Sequence, residues 1–373
     1  MKAAAFDYLR PGDVAEALCA LRDDPEAKVI AGGQSLVPMM NLRLARPGTL
    51  VDIGGLPGLD RIIEDTDSLI IGALVRHRTL ERDPLVAART PLLAEAATHI
   101  GHPGIRNRGT LGGTLAHADP AAELPLAMVT LDATIHVESI ARGKRAVPAA
   151  EFFASYFTTA LGEDELVTWV RVPALGPRQG WGFHEFARRH GDFALAGAAV
   201  LMETTPDGRV AGARAALMAV GDKPLLVAEE GTFAAGAPLA GHADTAGHAR
   251  TARDAGTPLA RDADTAGHAD TAGHADTARD AGTPLARDAD TAGTPIAGGV
   301  GTDAALAGDG AGVPGPRLWA KAADAWTAGL PAAEDPALTR RLAGAALRRA
   351  LADAYTRAPG HPGTRARGMK ADG

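Results

Sequence analysis

The chain has 373 residues, 46% of them hydrophobic and 22% charged, enough to bury two or three packed cores. Its net charge of −7 comes with no basic tract beyond Arg365, Arg367 and Lys370 near the end, which argues against a nucleic-acid partner. A single cysteine, Cys19, excludes an internal disulfide and a thiolate metal cluster, and no stretch reaches membrane-spanning length.

Residues 1–11 are charged and interrupted by Pro11, without the apolar centre of a signal peptide, so a cytoplasmic location is expected. Cys19 falls in an apolar helical pattern with Val14, Leu18 and Leu21 and reads as a core residue. Lys28-Val29-Ile30-Ala31 reads as a buried strand ending at Gly32-Gly33, followed by a helix-compatible run from Leu36 to Leu44. Residues 50–53 and 68–71 are further strand candidates bounded by glycine and proline. Thr90-Pro91 signals a helix start, and the helix runs to Ile100 before Gly101-His102-Pro103-Gly104 stops it. Asp119-Pro120 repeats that signal ahead of Leu124, Leu126, Met128 and Leu131, and Thr134 to Val137 and Leu166 to Val172 return as strands.

Beyond Gly180, strand patterns cover Trp181 to Phe186, Phe193 to Met202 and Ala215 to Val220. The chain then turns rich in Ala, Gly, Asp, Thr and His, and residues 240–265 recur as 266–291 with only Arg250 replaced by Asp276. So little apolar surface predicts that 236–315 is a disordered insertion, with His242, His248, His268 and His274 solvated rather than bound to metal. Asp335-Pro336 caps a closing helix in which Leu338, Leu342, Ala345 and Leu351 share one face, and 357–373 reads as a flexible tail.

Two glycine segments carry the chemistry: Ala31-Gly32-Gly33-Gln34-Ser35-Leu36 and Thr110-Leu111-Gly112-Gly113-Thr114. Consecutive glycines let successive N–H groups converge on an anion without a lysine, and a pyrophosphate suits such a nest. Neither segment has the Gly-x-Gly-x-x-Gly spacing of a Rossmann dinucleotide turn, and no Gly-x-x-x-x-Gly-Lys-Ser/Thr loop is present.

With their flanks, these segments resemble the FAD-binding medium subunits of the molybdenum hydroxylases, a family that includes xanthine, carbon monoxide and nicotinate dehydrogenases. The resemblance rests on Phe6-Asp7-Tyr8 with Pro11, on 31–36 leading to Arg43-Leu44 and 50–53, on 105–113, on Ala118 to Pro125, on Arg188 to Ala194 and on Pro224 to Glu229. It implies an α+β fold: a two-part FAD domain of the vanillyl-alcohol-oxidase (PCMH) type over 1–176, divided at about residue 60. A smaller domain of antiparallel sheet and helices would follow over 177–235 and 316–356.

By the same resemblance, Ala31, Gly32, Gly33, Gln34 and Ser35 hold the FAD pyrophosphate through backbone N–H groups, with Leu36 packed nearby. Thr110, Leu111, Gly112, Gly113 and Thr114 hold the other side of the cofactor, Glu123 meets the adenosine ribose, and Ile100 and Leu161 line the pocket. Asp119 is explained by helix capping, and His117 is given no role. Thr114 stands where the family has asparagine, Phe193 where tyrosine is common, and His184-Glu185 lacks the lysine often seen there.

The shortage of cysteine places iron–sulfur clusters and the molybdenum cofactor elsewhere. The resemblance implies a large molybdenum subunit and a small subunit with two [2Fe–2S] clusters, assembled as a dimer of heterotrimers. In it this chain would pass electrons through FAD to an external acceptor, with no catalytic acid or base and no metal of its own. Two other readings stand beside it: a self-contained flavin reductase on the same fold, and a flavin-free assembly subunit.

Overall fold

The computed structural model describes residues 2–228, 316–331 and 335–359. The tandem repeat, with its four histidines, and the chain end beyond 359 lie outside the described residues.

The first unit is a small parallel sheet with helices beside it. Strand β1 (Asp7–Leu9) leads to helix α1 (Val14–Asp23), whose first turn is capped by the Asp13 carboxylate accepting from Glu16 N. Strand β2 (Lys28–Ile30) leads through the first glycine segment to α2 (Leu36–Asn41), and β3 (Thr49–Asp52) then enters between the other two, giving the order β1-β3-β2. Ala17, Leu18 and Leu21 of α1 pack with Val51 and Ile53 in a core of their own. Helix α2 stops short of the predicted Leu44, because Arg43 takes a left-handed φ of 59°.

A five-stranded sheet follows. It uses β4 (Ile62–Glu64) and β5 (Ser68–Gly72), then, after a run of helices, β6 (Thr134–Ser139), β7 (Gly143–Pro148) and β10 (Leu166–Pro173), in the order β4-β5-β10-β6-β7 with antiparallel pairing. The intervening helices are α3 (His77–Arg82), α4 (Pro84–Arg89), α5 (Pro91–His99), α6 (Pro103–Arg106), α7 (Leu111–His117) and α8 (Glu123–Thr130); α9 (Ala149–Phe152) and the hairpin β8 (Phe153–Ser155) and β9 (Thr158–Thr159) lie between β7 and β10. Leu92, Leu93, Leu124, Leu126 and Met128 from α5 and α8 are fully buried against Ile71, Ile135 and Val170 of the sheet. Helix α5 begins at Pro91 as its sequence signals, although the Thr90 hydroxyl turns back to Val86 O instead of capping. Helix α8 starts at Glu123, later than Asp119-Pro120 suggests, since the Asp119 carboxylate accepts from Ala121 N and forms a separate turn.

The last sheet is antiparallel, β11 (Gln179–Ala187), β12 (Ala194–Thr204), β13 (Val210–Met218) and β14 (Leu225–Ala228) in sequential order. It is covered by α10 (Pro316–Thr327) and α11 (Pro336–Arg357), with Asp335 capping α11 through Leu338 N. The buried face of α11 is made of Ala343, Ala346, Leu347, Ala350, Leu351 and Ala354, whereas the predicted anchor Leu338 is exposed. Small side chains let the helix sit close to the strand. A Cβ at Gly180 or Gly182 would lie 1.9 Å from the carbonyl oxygen of Ala354 or Ala350, so β11 carries glycine where the helix backbone presses on it.

Candidate flavin site

The first glycine segment leaves β2 and enters α2. Gly33 has φ +70°, and the Gln34 amide donates to Gly32 O at 3.0 Å, closing the turn. Among the described residues no acceptor takes the backbone N–H groups of Gly33, Gln34, Ser35 and Leu36, and the Ser35 side chain makes no cap. Four successive donors are therefore unspent, which is the requirement for an anion cradle.

The second segment is built differently. Leu111 N donates to Val75 O, Gly112 N to Ala73 O, Gly113 N to the Thr110 hydroxyl and Thr114 N to Thr110 O. Its donors are consumed in starting α7, and what it offers a ligand is the exposed, side-chain-free surface of Gly113. Leu111 is fully buried and faces the core.

The two segments meet. A Cβ on Gly32 would stand 2.3 Å from Arg108 O and 2.9 Å from Gly109 Cα, so the first turn is pressed on the residues leading into the second. The Arg76 guanidinium also donates to Arg108 O. Beneath the second segment lies buried His77, whose Nε2 is 3.0 Å from Thr110 O and 2.9 Å from the Thr114 hydroxyl. Burial holds its pKa down at about 4, an effect that the hydrogen bond to Thr110 opposes and the charges of Arg76 and Arg106 reinforce. Thr114, the departure from asparagine, thus ties α7 to this neutral imidazole.

Ile100 follows α5 and is held by Arg106, which donates to Ile100 O at 2.9 Å and Gly101 O at 3.1 Å while its Nε pairs with Glu81 at 3.0 Å. Leu161 is partly buried on the same apolar core. Its turn is fixed by Glu165, which accepts from Gly162 N at 2.7 Å and from Arg145 Nε at 2.7 Å. Glu123 opens α8; burial drives its carboxyl up to about 7, its own backbone N–H offsets part of this, and the nearby Glu185 charge adds to it. A cavity bounded by Gly54, Gly55, Asp60, Arg76 and Thr79 involves none of the residues expected to meet the cofactor.

His77, Arg106, Arg76 and the pair His99–Glu185 were not singled out by sequence. Only Glu95 and His99, four apart on α5, carry a local signal; Arg76 and His77 reach carbonyls 32 and 33 residues away, and Arg106 pairs with Glu81 25 residues away.

The family model described as the FAD binding domain in molybdopterin dehydrogenase matches residues 4–175, and that of the CO dehydrogenase flavoprotein C-terminal domain matches 181–268. The nicotine 6-hydroxylase medium subunit of Paenarthrobacter nicotinovorans is 44% identical over 217 residues, 58% of this chain and 75% of that relative. The chain belongs to the FAD-binding medium subunits of the molybdenum hydroxylases. This medium subunit is also 42% identical over 198 residues to the carbon monoxide dehydrogenase medium chain of Hydrogenophaga pseudoflava, covering 53% of this chain and 69% of that one. Carbon monoxide dehydrogenase from the same organism, lacking the Mo-pyranopterin moiety, matches in structure with a TM-score of 0.72 and 31% identity over 96% of this chain and 100% of that one. Quinoline 2-oxidoreductase from Pseudomonas putida 86 matches with a TM-score of 0.71, again at 31% identity, over 95% and 99% of the two chains. The α+β architecture with an FAD domain and a C-terminal domain is that of the family, and the chain is an oxidoreductase subunit whose cofactor is FAD. Among the described residues no helix is long and apolar enough to cross a membrane.

Proposed function

We propose that this subunit holds FAD between its two glycine segments and relays electrons in a molybdenum-containing dehydrogenase, from [2Fe–2S] clusters of a small partner subunit to an external acceptor. Substrate would be oxidised in a large molybdenum subunit. The observation that carries the reading is the row of four unspent N–H groups at Gly33 to Leu36, pressed against the backbone before Thr110.

Bound FAD supplies the exchange between one-electron and two-electron chemistry. The chain's own residues bind and orient it. Gly33, Gln34, Ser35 and Leu36 donate to the pyrophosphate, Ala31 and Gly32 set the turn, and Gly113 admits the cofactor close to α7. Thr110, Leu111, Gly112 and Thr114 hold that surface rigid, Glu123 takes the ribose side, and Ile100 and Leu161 give the pocket its apolar walls. No acid or base of this chain is needed for the relay.

The test is co-expression with the candidate large and small subunits, purification through a tag on this chain, and measurement of flavin, iron and molybdenum. FAD with both metals is expected. FAD in a pure, metal-free chain would point instead to a self-contained flavoenzyme, and metals without flavin to an assembly subunit.

A further inference from the structure

Residues 73–77, which lead from β5 into α3, run antiparallel to the segment entering α7 and hold it at every step. Leu111 N and Gly112 N donate to Val75 O and Ala73 O; before them, three successive carbonyls, those of Arg108, Gly109 and Thr110, accept from the Arg76 guanidinium, from His77 N at 3.0 Å and from His77 Nε2 at 3.0 Å. An antiparallel bridge engages the backbone groups of alternate residues, which leaves Arg108 O and Thr110 O over. The two side chains take them. The same stretch carries the contact between the glycine segments. A Cβ on Gly32 would lie 2.9 Å from Gly109 Cα, and a Cβ on Gly109 would lie 2.6 Å from His77 Cε1, so the first glycine turn, Gly109 and the His77 ring are packed in series.

The imidazole also directs a proton. A carbonyl oxygen only accepts, so the contact with Thr110 O assigns the ring proton of the neutral His77 to Nε2. Nδ1 is then a bare acceptor, and it is the nitrogen buried without a partner among the described residues. The Thr114 hydroxyl, 2.9 Å from Nε2, therefore accepts from His77 and does not donate to it. No other acceptor among the described residues takes the Thr114 O–H, and this side chain is half-buried beside the exposed Gly113. The second glycine segment thus keeps one side-chain donor for a ligand.

We propose that Arg76 and His77 are the positioning residues of the flavin site: they fix the three carbonyls ahead of α7, and with them the spacing of the two glycine segments, and His77 turns the Thr114 hydroxyl proton toward an oxygen of the bound FAD. The proposal rests on the reading of the site given above. Neither residue touches the cofactor. Each acts by holding backbone that does, so that the cradle and the start of α7 meet FAD already in place.

The experiment measures FAD dissociation constants on deflavinated complete complex. His77→Leu removes the side-chain donor, His77→Gln keeps an N–H of similar reach, Arg76→Met frees Arg108 O, Arg76→Lys restores a donor, and Thr114→Val removes the hydroxyl. His77→Leu, Arg76→Met and Thr114→Val are each expected to weaken FAD about tenfold, the worth of one hydrogen bond, with Gln and Lys recovering most of the loss at their positions. Because the Thr114 proton is directed by His77, the double variant His77→Leu/Thr114→Val should bind no worse than about tenfold below the unmodified complex. Should His77→Leu fail to assemble, Thr114→Val and the Arg76 pair, both at partly exposed positions, decide. Unchanged affinity in the variants that assemble, losses that add in the double variant, or losses that follow the unfolding temperature with no recovery in Gln or Lys would overturn the proposal and leave the pair as a folding brace. Unmodified complex without FAD would overturn it together with the reading of the site.

Discussion

At the scale of single residues, the site depends on what is absent from Gly32. An added methyl would stand 2.3 Å from the Arg108 carbonyl oxygen, a backbone atom that cannot rotate away. Gly32→Ala is expected to cost about 1–3 kcal/mol, as overpacking does, and to lower the flavin content of the purified subunit more than the loss of folded protein accounts for. Far-UV circular dichroism during thermal unfolding, read beside flavin absorbance, checks both. His77 makes a second prediction. Its folded pKa of about 4 lies below its unfolded value of 6.5, so the unfolded chain binds the proton more readily. The stability linked to His77 is complete above pH 6.5, is lost as pH falls through the range to about 4, and amounts to about 3 kcal/mol at 1.36 kcal/mol per pKa unit. Urea midpoints between pH 7 and 4 should fall, and less steeply in a His77→Gln variant, which cannot be protonated.

At the scale of elements, the governing contact is α11 on β11. Alanines on the helix and glycines on the strand bring two backbones together, and neither residue type advertises a core in a hydropathy pattern. This is why the sequence pointed to Leu338, Leu342 and Leu351, although only Leu351 is fully buried: leucines dominate a hydropathy profile, but the closest approach is made where side chains are smallest. Gly182→Ala places a Cβ 1.9 Å from Ala350 O and is expected to lower the unfolding temperature by several degrees, whereas Gly58→Ala, with open space around it but a φ of +86°, should cost only about 1–2 kcal/mol of backbone strain. Differential scanning calorimetry of both variants distinguishes displacement of a helix from local strain.

At the scale of the whole molecule, the C-terminal sheet is completed by helices that return after residue 315. Leu225 and Val227 of β14 pack on the same core as Trp319 and Ala322 of α10, so apolar burial joins the described parts of the C-terminal domain on either side of 236–315. Replacing 236–315 with a Gly/Ser linker of about twenty residues is therefore expected to leave flavin content and unfolding temperature unchanged. A drop in either, or a failure of the shortened chain to co-purify with its partners, would assign the repeat a part in folding or assembly.

The strands at 28–30, 50–52, 68–72 and 134–139, the starts of α5 and α11 and the first glycine turn were legible in the sequence, because each is set by neighbours within a few residues: alternation, a cap, a proline, a bare Cα. Only the tertiary structure decided which glycine segment has N–H groups to give. Gly33 to Leu36 keep theirs, while those of Leu111 to Thr114 are taken by Ala73, Val75 and Thr110. It also decided where the buried charge lies, since Glu185 on a strand and His99 on a helix are 86 positions apart and become partners only when β11 is laid across the end of α5. Local propensity acts through the chain, but hydrogen-bond acceptance and Coulomb attraction act through space, and the sequence carries no record of the second until the fold has closed it.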